Sequence, residues 1–311
     1  RFSAICPDVP RRQGGNMFRA FHKLAVWSLR RMPLIALLAM RAYNRLLKFG
    51  GPYRCRTYFG SEMRCDPTDL IQSRILFFGH WEPNISRLIE RILTAGDVFV
   101  DVGANVGYDT LLGAGLVGDE GGVVAIEAST RTFSALGANL ALNQTKNVRG
   151  VCKAVSDCRG TAILHSGPYG NIGMATILDS KNRPRGDMRE DVRTLPLDEI
   201  LSPVERARTK LIKMDIEGAE LPVIRRFLDT IDLYPADTCL IVEVSPCENG
   251  GGWAEQFSRF RDLGFNAYQV ENEYGWDWYL RWRPAELQPL DALPARGGDI
   301  LFARQSPPQM N

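Results

Sequence analysis

The chain has 311 residues, of which 45% are hydrophobic and 24% charged, with a formal net charge of +2. That length suits one large α/β domain with additions or two small domains, and the near balance of charge argues against a protein whose whole surface binds nucleic acid. The seven cysteines are odd in number and show no C-x-x-C spacing, so we expect reduced thiols in the cytoplasm rather than a zinc site or a disulfide framework. No nucleic-acid partner and no metal ligands are therefore predicted.

Residues 1–50 are predicted to form a basic leader followed by a helical extension. They hold ten basic residues against one acid, Asp8, and the proline- and glycine-containing segment before Met17 is interpreted as an unstructured leader. Apolar residues recur at helical spacing after Pro33: Leu34, Ile35, Leu38, Ala42 and Leu46. The pattern favours a helix packed on the main domain, and a basic helix making peripheral contact with an anionic membrane is the alternative. The apolar run at 32–40 is too short to span a membrane.

From residue 97 the sequence alternates between strand-like and helical segments. The predicted strands are 97–102, 123–128, 148–156, 210–215, 238–244, 265–271 and 299–303. The predicted helices are 108–117, 130–142, 219–229 and 253–263. Such alternation predicts a doubly wound α/β fold with a mostly parallel, seven-stranded sheet over residues 97–304. A pre-domain segment at 51–96 precedes it, a tail at 305–311 follows it, and the long connection 157–209 is a candidate lid or substrate loop.

The stretch DVFVDVGANVGYDT, at 97–110, places an acid and then a glycine loop at the end of an apolar strand. Gly103 and Gly107 permit tight turns and close approach of a ligand, and Asn105 tolerates left-handed conformations. The Asp101 carboxylate would hold a cationic group or orient the N–H groups of the loop. No P-loop pattern fits, and the G-x-G-x-x-G spacing of dinucleotide folds fails at two of its three glycines. An acid before the loop suits a ligand with an amino group and a sulfonium better than it suits a pyrophosphate.

Glu127 ends the next predicted strand, VVAIEAS, where an acid would accept hydrogen bonds from the two hydroxyls of a ribose. Strand, glycine loop, helix, strand and acid form a more specific pattern than the loop alone. The alternative is a structural strand-to-helix turn with a solvated Glu127. The order of the elements favours a ligand site.

The sequence resembles the FkbM family of S-adenosylmethionine-dependent methyltransferases over roughly residues 66–304. The resemblance rests on FVDVGANVGYDTLLGA, VVAIEAS, AVSD, LIKMDIEGAELPVI and LIVEVSP. It implies a Rossmann-like methyltransferase fold, S-adenosylmethionine as cofactor, and Asp157, which ends AVSD, as a further cofactor-binding residue. Two positions depart from the family pattern, which usually has Glu-Pro where Glu127-Ala128 stands and a small or apolar residue where Asp109 stands.

The segment KMDIEGAE, from Lys213 to Glu220, places four charges at the end of another predicted strand. Alternation puts Lys213, Asp215 and Glu217 on one face as the strand leaves the sheet. We assign Asp215 to the cofactor or acceptor pocket, Glu217 or Asp215 to general base, and Lys213 to orienting the carboxylates. An ion-paired helix start is the alternative. Glu243, which ends LIVE, would project to the same edge and contact the acceptor or cap the edge.

Two segments outside these motifs are candidates for the acceptor site. FFGHWEPNI contains His80 and Glu82, which could reach an acceptor, although a histidine beside Trp81 is as often structural. Five aromatic residues in the range 274–282 could stack on a sugar, but the aromatic pattern favours core.

The leading hypothesis is S-adenosylmethionine-dependent O-methylation of a hydroxyl on a glycan, polyketide or other metabolite. A hydroxyl is a weak nucleophile near neutral pH, and a carboxylate that accepts its proton adds about 10²–10⁴-fold to the rate. A catalytically inactive cofactor-binding module of the same fold is the alternative. A nicotinamide-dependent oxidoreductase is more distant, because the glycine spacing opposes it.

Overall fold

A computed structural model describes residues 51–168, 170–178, 188–245, 251–294 and 297–305, together with the isolated positions Leu38, Ala42 and Arg45. These three positions are helical, as expected, but Leu38 and Ala42, which belong to the predicted apolar face, are exposed and do not show the packing that was favoured for this helix. The rest of the basic extension, and the membrane contact considered for it, lie outside the described residues. In the part of the chain that the structure describes, no helix is both long enough and apolar enough to cross a membrane.

Strands and helices alternate along the described chain. The strands are β1 (Tyr53–Arg56), β2 (Glu62–Cys65), β3 (Val98–Val102), β4 (Gly122–Ile126), β5 (Val148–Val151), β6 (Ala154–Val155), β7 (Gly160–His165), β8 (Arg189–Leu195), β9 (Thr209–Met214), β10 (Cys239–Val244), β11 (Asn266–Val270), β12 (Gln288–Pro289) and β13 (Gly298–Ala303). The helices are α1 (Leu70–Phe78), α2 (Pro83–Ile92), α3 (Tyr108–Val117), α4 (Thr130–Leu142), α5 (Leu197–Ile200), α6 (Pro203–Ala207), α7 (Glu220–Asp229), α8 (Gly251–Asp262) and α9 (Trp276–Arg281).

The chain forms two compact units. The smaller consists of residues 1–82 and 273–283, and the larger of residues 83–272 and 284–311. Helix α2 packs on α3 and so belongs to the larger unit, whereas the sequence-based boundary lay at residue 97. Within the smaller unit, the aromatic segment 274–282 contributes Trp276, whose ring meets Phe77 and lies under the guanidinium of Arg74 at 4.4 Å. Of the five aromatic residues, only Tyr279 is buried and Tyr274 is exposed, so the predicted core role is confirmed for Tyr279 alone.

An eight-stranded sheet with the order β12-β11-β13-β10-β9-β3-β4-β5 forms the centre of the larger unit. Strands β10, β9, β3, β4 and β5 run parallel, and β13 lies antiparallel between β10 and β11. The chain order reverses at β3, which has β4 on one side and β9 on the other. In open α/β sheets, ligands bind outside the carboxyl ends of the strands at such a reversal. The doubly wound α/β fold is therefore confirmed. Its topology predicts that a ligand binds at the carboxyl ends of β3 and β9.

The central strands are buried on both faces, as parallel strands covered by helices must be. All five residues of β3 are buried, including its single charge, Asp101. Helix α4 starts where Ser129 caps it, since the Ser129 Oγ accepts a hydrogen bond from Thr132 N at 3.3 Å. These local signals fix the elements that flank the candidate site.

Three details of the predicted architecture were wrong. The sheet has eight strands rather than seven, because the two-residue strand β12 pairs with β11. The predicted strand 148–156 is divided into β5 and β6, and β6 belongs to a separate three-stranded sheet, β6-β8-β7. The range 157–209 is not one long connection, since it contains β7, β8, α5 and α6. The charged, half-exposed β8 carries too few apolar residues to be recognised as a strand.

Candidate active site

The loop 103–107 leaves β3 at the carboxyl edge of the sheet and needs glycine for its conformation. Gly103 and Gly107 have φ angles of 84° and 91°, and Asn105 lies in the left-handed region at 49°. Gly103 N and Ala104 N both donate to the Ile126 carbonyl, at 2.9 and 3.0 Å, so the loop is held against the end of β4. The tight turn predicted directly after the strand is confirmed.

Glu127 ties this loop to the end of β4. Its Oε2 accepts a hydrogen bond from Asn105 N at 3.0 Å, and its Oε1 accepts one from Ser129 N at 2.9 Å. Burial raises the pKa of Glu127 to about 7, against the lowering effect of these hydrogen bonds. The alternative of a solvated Glu127 is therefore wrong. Each carboxylate oxygen has a second lone pair, so Glu127 can still accept a hydrogen bond from a ligand.

Asp101 anchors α3 to β3. Its Oδ2 accepts a hydrogen bond from Thr110 Oγ1 at 2.5 Å, while its buried Oδ1 has no hydrogen-bond partner among the residues described. Burial, and after it the neighbouring Asp109 carboxylate, raises the pKa of Asp101. The N–H groups of the loop donate instead to the Ile126 carbonyl and to Glu127. Two roles were expected for Asp101: to hold a cationic group, or to orient the N–H groups of the loop. The second role is performed by Glu127 instead.

A second loop, 215–219, follows β9 and meets the glycine loop. Asp215 N donates to the Val102 carbonyl at 3.0 Å, which extends the parallel pairing of β9 with β3. A Cβ atom on Gly103 would lie 1.9 Å from the Asp215 carbonyl oxygen, well inside any possible contact. Glycine at 103 is therefore required for the two loops to approach. The two motifs found in the sequence are neighbours at the reversal of the sheet.

Glu220 shapes this second loop. Its side chain is fully buried, and its Oε1 accepts hydrogen bonds from Ile216 N at 2.9 Å and Gly218 N at 3.0 Å. Glu217 and Gly218 both lie in the left-handed region, with φ angles of 56° and 94°. The expected alternation thus ends before Glu217, because the chain has already turned. Glu217 comes near Asp215 through the turn rather than through the strand.

Lys213 is a buried lysine whose ammonium lies between two carboxylates. Its Nζ is 3.3 Å from Asp215 Oδ2 and 3.4 Å from Asp109 Oδ2. A buried ammonium is tolerated only when it is paired in this way. The predicted contact of Lys213 with Asp215 is present, and its pairing with Asp109 explains how a charged residue is accommodated at that position of α3.

Glu243 leaves β10 beside the same loop, as predicted. One carboxylate oxygen from each of Asp215, Glu217 and Glu243 lies within 4.8 Å of the others, a spacing that could hold a metal ion. Burial, and after it the Asp215 and Glu217 carboxylates, raises the pKa of Glu243 to about 11. With no cation bound, Glu243 is therefore protonated at neutral pH and can donate a hydrogen bond.

The family model of the methyltransferase FkbM domain matches residues 101–270, more than half of the chain. The chain belongs to the FkbM methyltransferase family. Membership confirms the resemblance seen in the sequence and, with it, S-adenosylmethionine as the cofactor of this methyltransferase. It sets aside the nicotinamide-dependent oxidoreductase. No match to a curated protein was found.

Solved structures similar to this FkbM methyltransferase include three of low sequence identity. An rRNA methylase from Streptococcus thermophilus is 12% identical, with 73% of this chain and 98% of that chain covered and a TM-score of 0.41. A SAM-dependent O-methyltransferase from Thermotoga maritima is 16% identical, with 82% and 77% covered and a TM-score of 0.39. Fibrillarin from Aeropyrum pernix, with S-adenosyl-L-methionine bound, is 9% identical, with 81% and 93% covered and a TM-score of 0.40. At these TM-scores the likenesses carry no argument about the site.

One of the predicted site residues of the larger unit, Asp157, stands apart from the clusters at β3 and β9. Asp157 follows β6 and is exposed; its Oδ1 accepts a hydrogen bond from Ser156 Oγ at 3.2 Å. Within the described ranges, no hydrogen bond or ion pair joins Asp157 to Glu127 or Asp215. His80 belongs to the smaller unit, where its ring stacks on Tyr58 with a centroid distance of 4.0 Å. Burial lowers the pKa of His80 to about 4, so its imidazole is neutral near pH 7.

Three residues near the site of this methyltransferase were missed from the sequence. Asp109 was recognised only as an unusual residue, because its contact with Lys213 joins α3 to a strand about a hundred positions away. Glu190, on the unpredicted β8, accepts a hydrogen bond from Thr130 N at 3.1 Å, next to Ser129 at the start of α4. Thr176 donates from its Oγ1 to the Glu217 carbonyl at 3.0 Å. Each depends on a long-range contact that no local pattern announces.

Proposed function

We propose that this methyltransferase transfers the methyl group of S-adenosylmethionine to a hydroxyl oxygen of a small-molecule or glycan acceptor. Bound at the reversal of the sheet, the cofactor would supply an electrophilic methyl group on a sulfonium. The loop 103–107 and Glu127 would hold its nucleoside part, with Glu127 accepting hydrogen bonds from ribose hydroxyls. The acidic loop 215–219 would lie beside the transferred group.

The observation that carries this proposal is the close approach of Gly103 to the Asp215 carbonyl, which leaves no room for a Cβ atom at residue 103. It brings a cofactor-type loop and a cluster of acids to one edge of the sheet. Buried polar atoms there support a ligand: Asp101 Oδ1 and Asn105 Oδ1 have no hydrogen-bond partner in the part of the chain described. Several carboxylates around one lysine also suit a ligand that carries positive charge.

The chemistry of the acids favours O-methylation. Alignment of donor and acceptor supplies most of the acceleration, and a hydroxyl acceptor additionally needs a group that takes its proton. Glu243 is protonated at neutral pH, since burial and its acidic neighbours raise its pKa to about 11. Asp215 is ion-paired with Lys213. We therefore assign the role of general base to Glu217, with Asp215 facing the positive charge of the donor.

Calorimetric titration with S-adenosylhomocysteine tests the cofactor part of the proposal, with NAD as the negative comparison. We expect binding of the first and none of the second. A panel of hydroxylated metabolites and glycans, incubated with cofactor labelled in its methyl group, then tests the acceptor. Label attached through oxygen supports O-methylation. Label found only on nitrogen or carbon, or no transfer to any acceptor despite cofactor binding, would count against it.

A further inference from the structure

Four strands of the sheet place acids on one face at its carboxyl edge. In the register of the parallel strands β3 and β9, Asp101 lies opposite Lys213. Asp215 follows Lys213 by two positions and so lies on the same face of the sheet. On β10, Val242 lies opposite Met214 of β9, and Glu243 is the next residue. In the antiparallel register of β10 with β13, Glu243 lies opposite Asp299. Lys213 is the single basic residue among these five; Asp109 adds a further acid 3.4 Å from its ammonium, and Glu217 adds one near Asp215 and Glu243. The position of one ammonium group therefore decides which carboxylate keeps its negative charge exposed to a ligand.

The ammonium of Lys213 is shared between a buried acid and a more exposed one. The Asp109 side chain is 8% exposed and that of Asp215 is 29% exposed, at nearly equal distances of 3.4 and 3.3 Å from Nζ. Asp215 therefore faces solvent or a ligand, while Asp109 lies behind Lys213 on α3. The two acids pull the same ammonium in different directions.

Stability is a weak explanation for Asp109. Its Oδ1 is buried without a hydrogen-bond partner in the described ranges, and burial raises the pKa of Asp109 against the lowering effect of Lys213. Replacing a buried ion pair with apolar residues is often neutral or stabilising, so such a pair is poor evidence of a structural role. The Asp109 carboxylate, with one of its two oxygens lacking a hydrogen-bond partner, is better explained by its effect on the position of the Lys213 ammonium.

We propose that Asp109 is a positioning residue that draws Lys213 towards α3 and so leaves the Asp215 carboxylate incompletely neutralised for the cationic end of the methyl donor. This inference rests on the proposed function. Its consequence is a preference for a cationic ligand over the neutral thioether that remains after transfer. Without the Asp109 charge, Lys213 pairs more closely with Asp215, and that preference falls.

The test compares two probes by calorimetry near neutral pH. S-adenosylhomocysteine is the neutral thioether, and sinefungin carries an ammonium group where the donor has its methylsulfonium. The measured quantity is the ratio of their affinities. Asp109→Asn should lower the preference for sinefungin at least fivefold, with S-adenosylhomocysteine affinity changed less than threefold. Lys213→Met should shift the ratio in the opposite direction. In the Lys213→Met background, Asp109→Asn should have no further effect, because the proposed action runs through Lys213.

Asp119→Asn is the matched control, since it removes an exposed aspartate charge just beyond the other end of α3; it should leave the ratio unchanged. Equal weakening of both probes by Asp109→Asn would show a structural role and overturn the inference, as would an unchanged ratio. If Asp109→Asn does not fold, Lys213→Met alone decides, and a lowered or unchanged ratio overturns the inference. A wild-type protein that binds neither probe would instead refute the proposed function, and this inference with it.

Discussion

The backbone of Gly103 lies directly against the Asp215 carbonyl group. A Cβ atom at 103 would lie 1.9 Å from the Asp215 carbonyl oxygen, so a residue with a side chain does not fit there. The contact joins the first loop after β3 to the loop after β9, across the reversal of strand order. It is the reason that a glycine loop and an acidic loop, more than a hundred residues apart in sequence, are neighbours at one edge of the sheet.

Gly103→Ala should disrupt this contact. The methyl group collides with backbone rather than with a flexible side chain, and a φ of 84° is itself unfavourable for alanine. We expect a lower melting temperature and at least tenfold weaker binding of S-adenosylhomocysteine, about 1.4 kcal/mol. Thermal unfolding and calorimetry on the same preparation measure both effects.

Gly115→Ala is the control for this change. Gly115 lies within α3 and is exposed, and a Cβ atom added there would have open space around it to a distance of 4 Å. Alanine there should stabilise the helix by up to about 1 kcal/mol and leave binding unchanged. Normal cofactor affinity in folded Gly103→Ala would contradict the assignment of the two loops to one cofactor site.

Glu127→Ala should weaken S-adenosylhomocysteine binding at least tenfold, because it removes both the acceptor for ribose hydroxyls and the hydrogen bond from Asn105 N that shapes the loop. Glu120→Ala, at an exposed turn after α3, serves as its control. Circular dichroism checks the fold, and calorimetry measures the affinity. Equal affinities for wild type and the Glu127 variant would remove Glu127 from the site.

The elements around the site could be predicted from sequence because their local signals agree with the fold. Helices α3 and α4 occupy 108–117 and 130–142 as predicted, since glycine or serine precedes each apolar repeat. Strands β3 and β10 are near-continuous apolar runs, as expected of buried parallel strands, whereas β9 is marked by a shorter apolar core, Leu211-Ile212, between lysines. Strands β7 and β8 were missed because their polar, half-exposed sequences are also typical of loops.

The interior of the site could not be predicted in the same way. Sequence suggested that Asp101 orients the glycine loop, yet the structure gives that contact to Glu127 and pairs Asp101 with Thr110. Asp109 departed from the family pattern with no local explanation, and its partner became visible only when β9 was placed beside β3. Side-chain partners across a sheet depend on strand order, which no short segment encodes.

The pH dependence of stability should reflect the buried acids. Burial raises the pKa of both Glu127 and Glu220 to about 7, above the ordinary value of 4.5. A carboxyl whose folded pKa is raised contributes stability that is present at low pH and lost as pH rises through the folded value. The melting temperature of the ligand-free protein should therefore rise as pH falls from 8 to about 6.5. Below 6.5, His80, whose pKa is lowered to about 4, opposes this trend.

Differential scanning fluorimetry across that window measures the effect. Glu127→Gln and Glu220→Gln should each flatten the slope, because an amide does not titrate, whereas Glu120→Gln at an exposed position should leave it unchanged. A melting temperature that falls on acidification from pH 8 to 6.5 would contradict the raised pKa values of these buried acids.

Glu217→Gln should separate catalysis from binding. The change keeps the shape of the side chain and the left-handed turn that Glu220 and Thr176 hold, so the fold and S-adenosylhomocysteine affinity should stay near wild type. With no carboxylate to take the acceptor proton, turnover should fall at least a hundredfold.

Asp215→Asn should instead reduce both affinity for the cationic donor and turnover, since Asp215 is the acid between Lys213 and the ligand. Glu255→Gln, on the exposed face of α8, controls for loss of a surface charge. Turnover is measured as label transferred to whichever acceptor the screen identifies. Near-normal turnover by Glu217→Gln would move the role of base to Asp215, and normal turnover by both carboxylate variants would make the loop an ion-paired helix start.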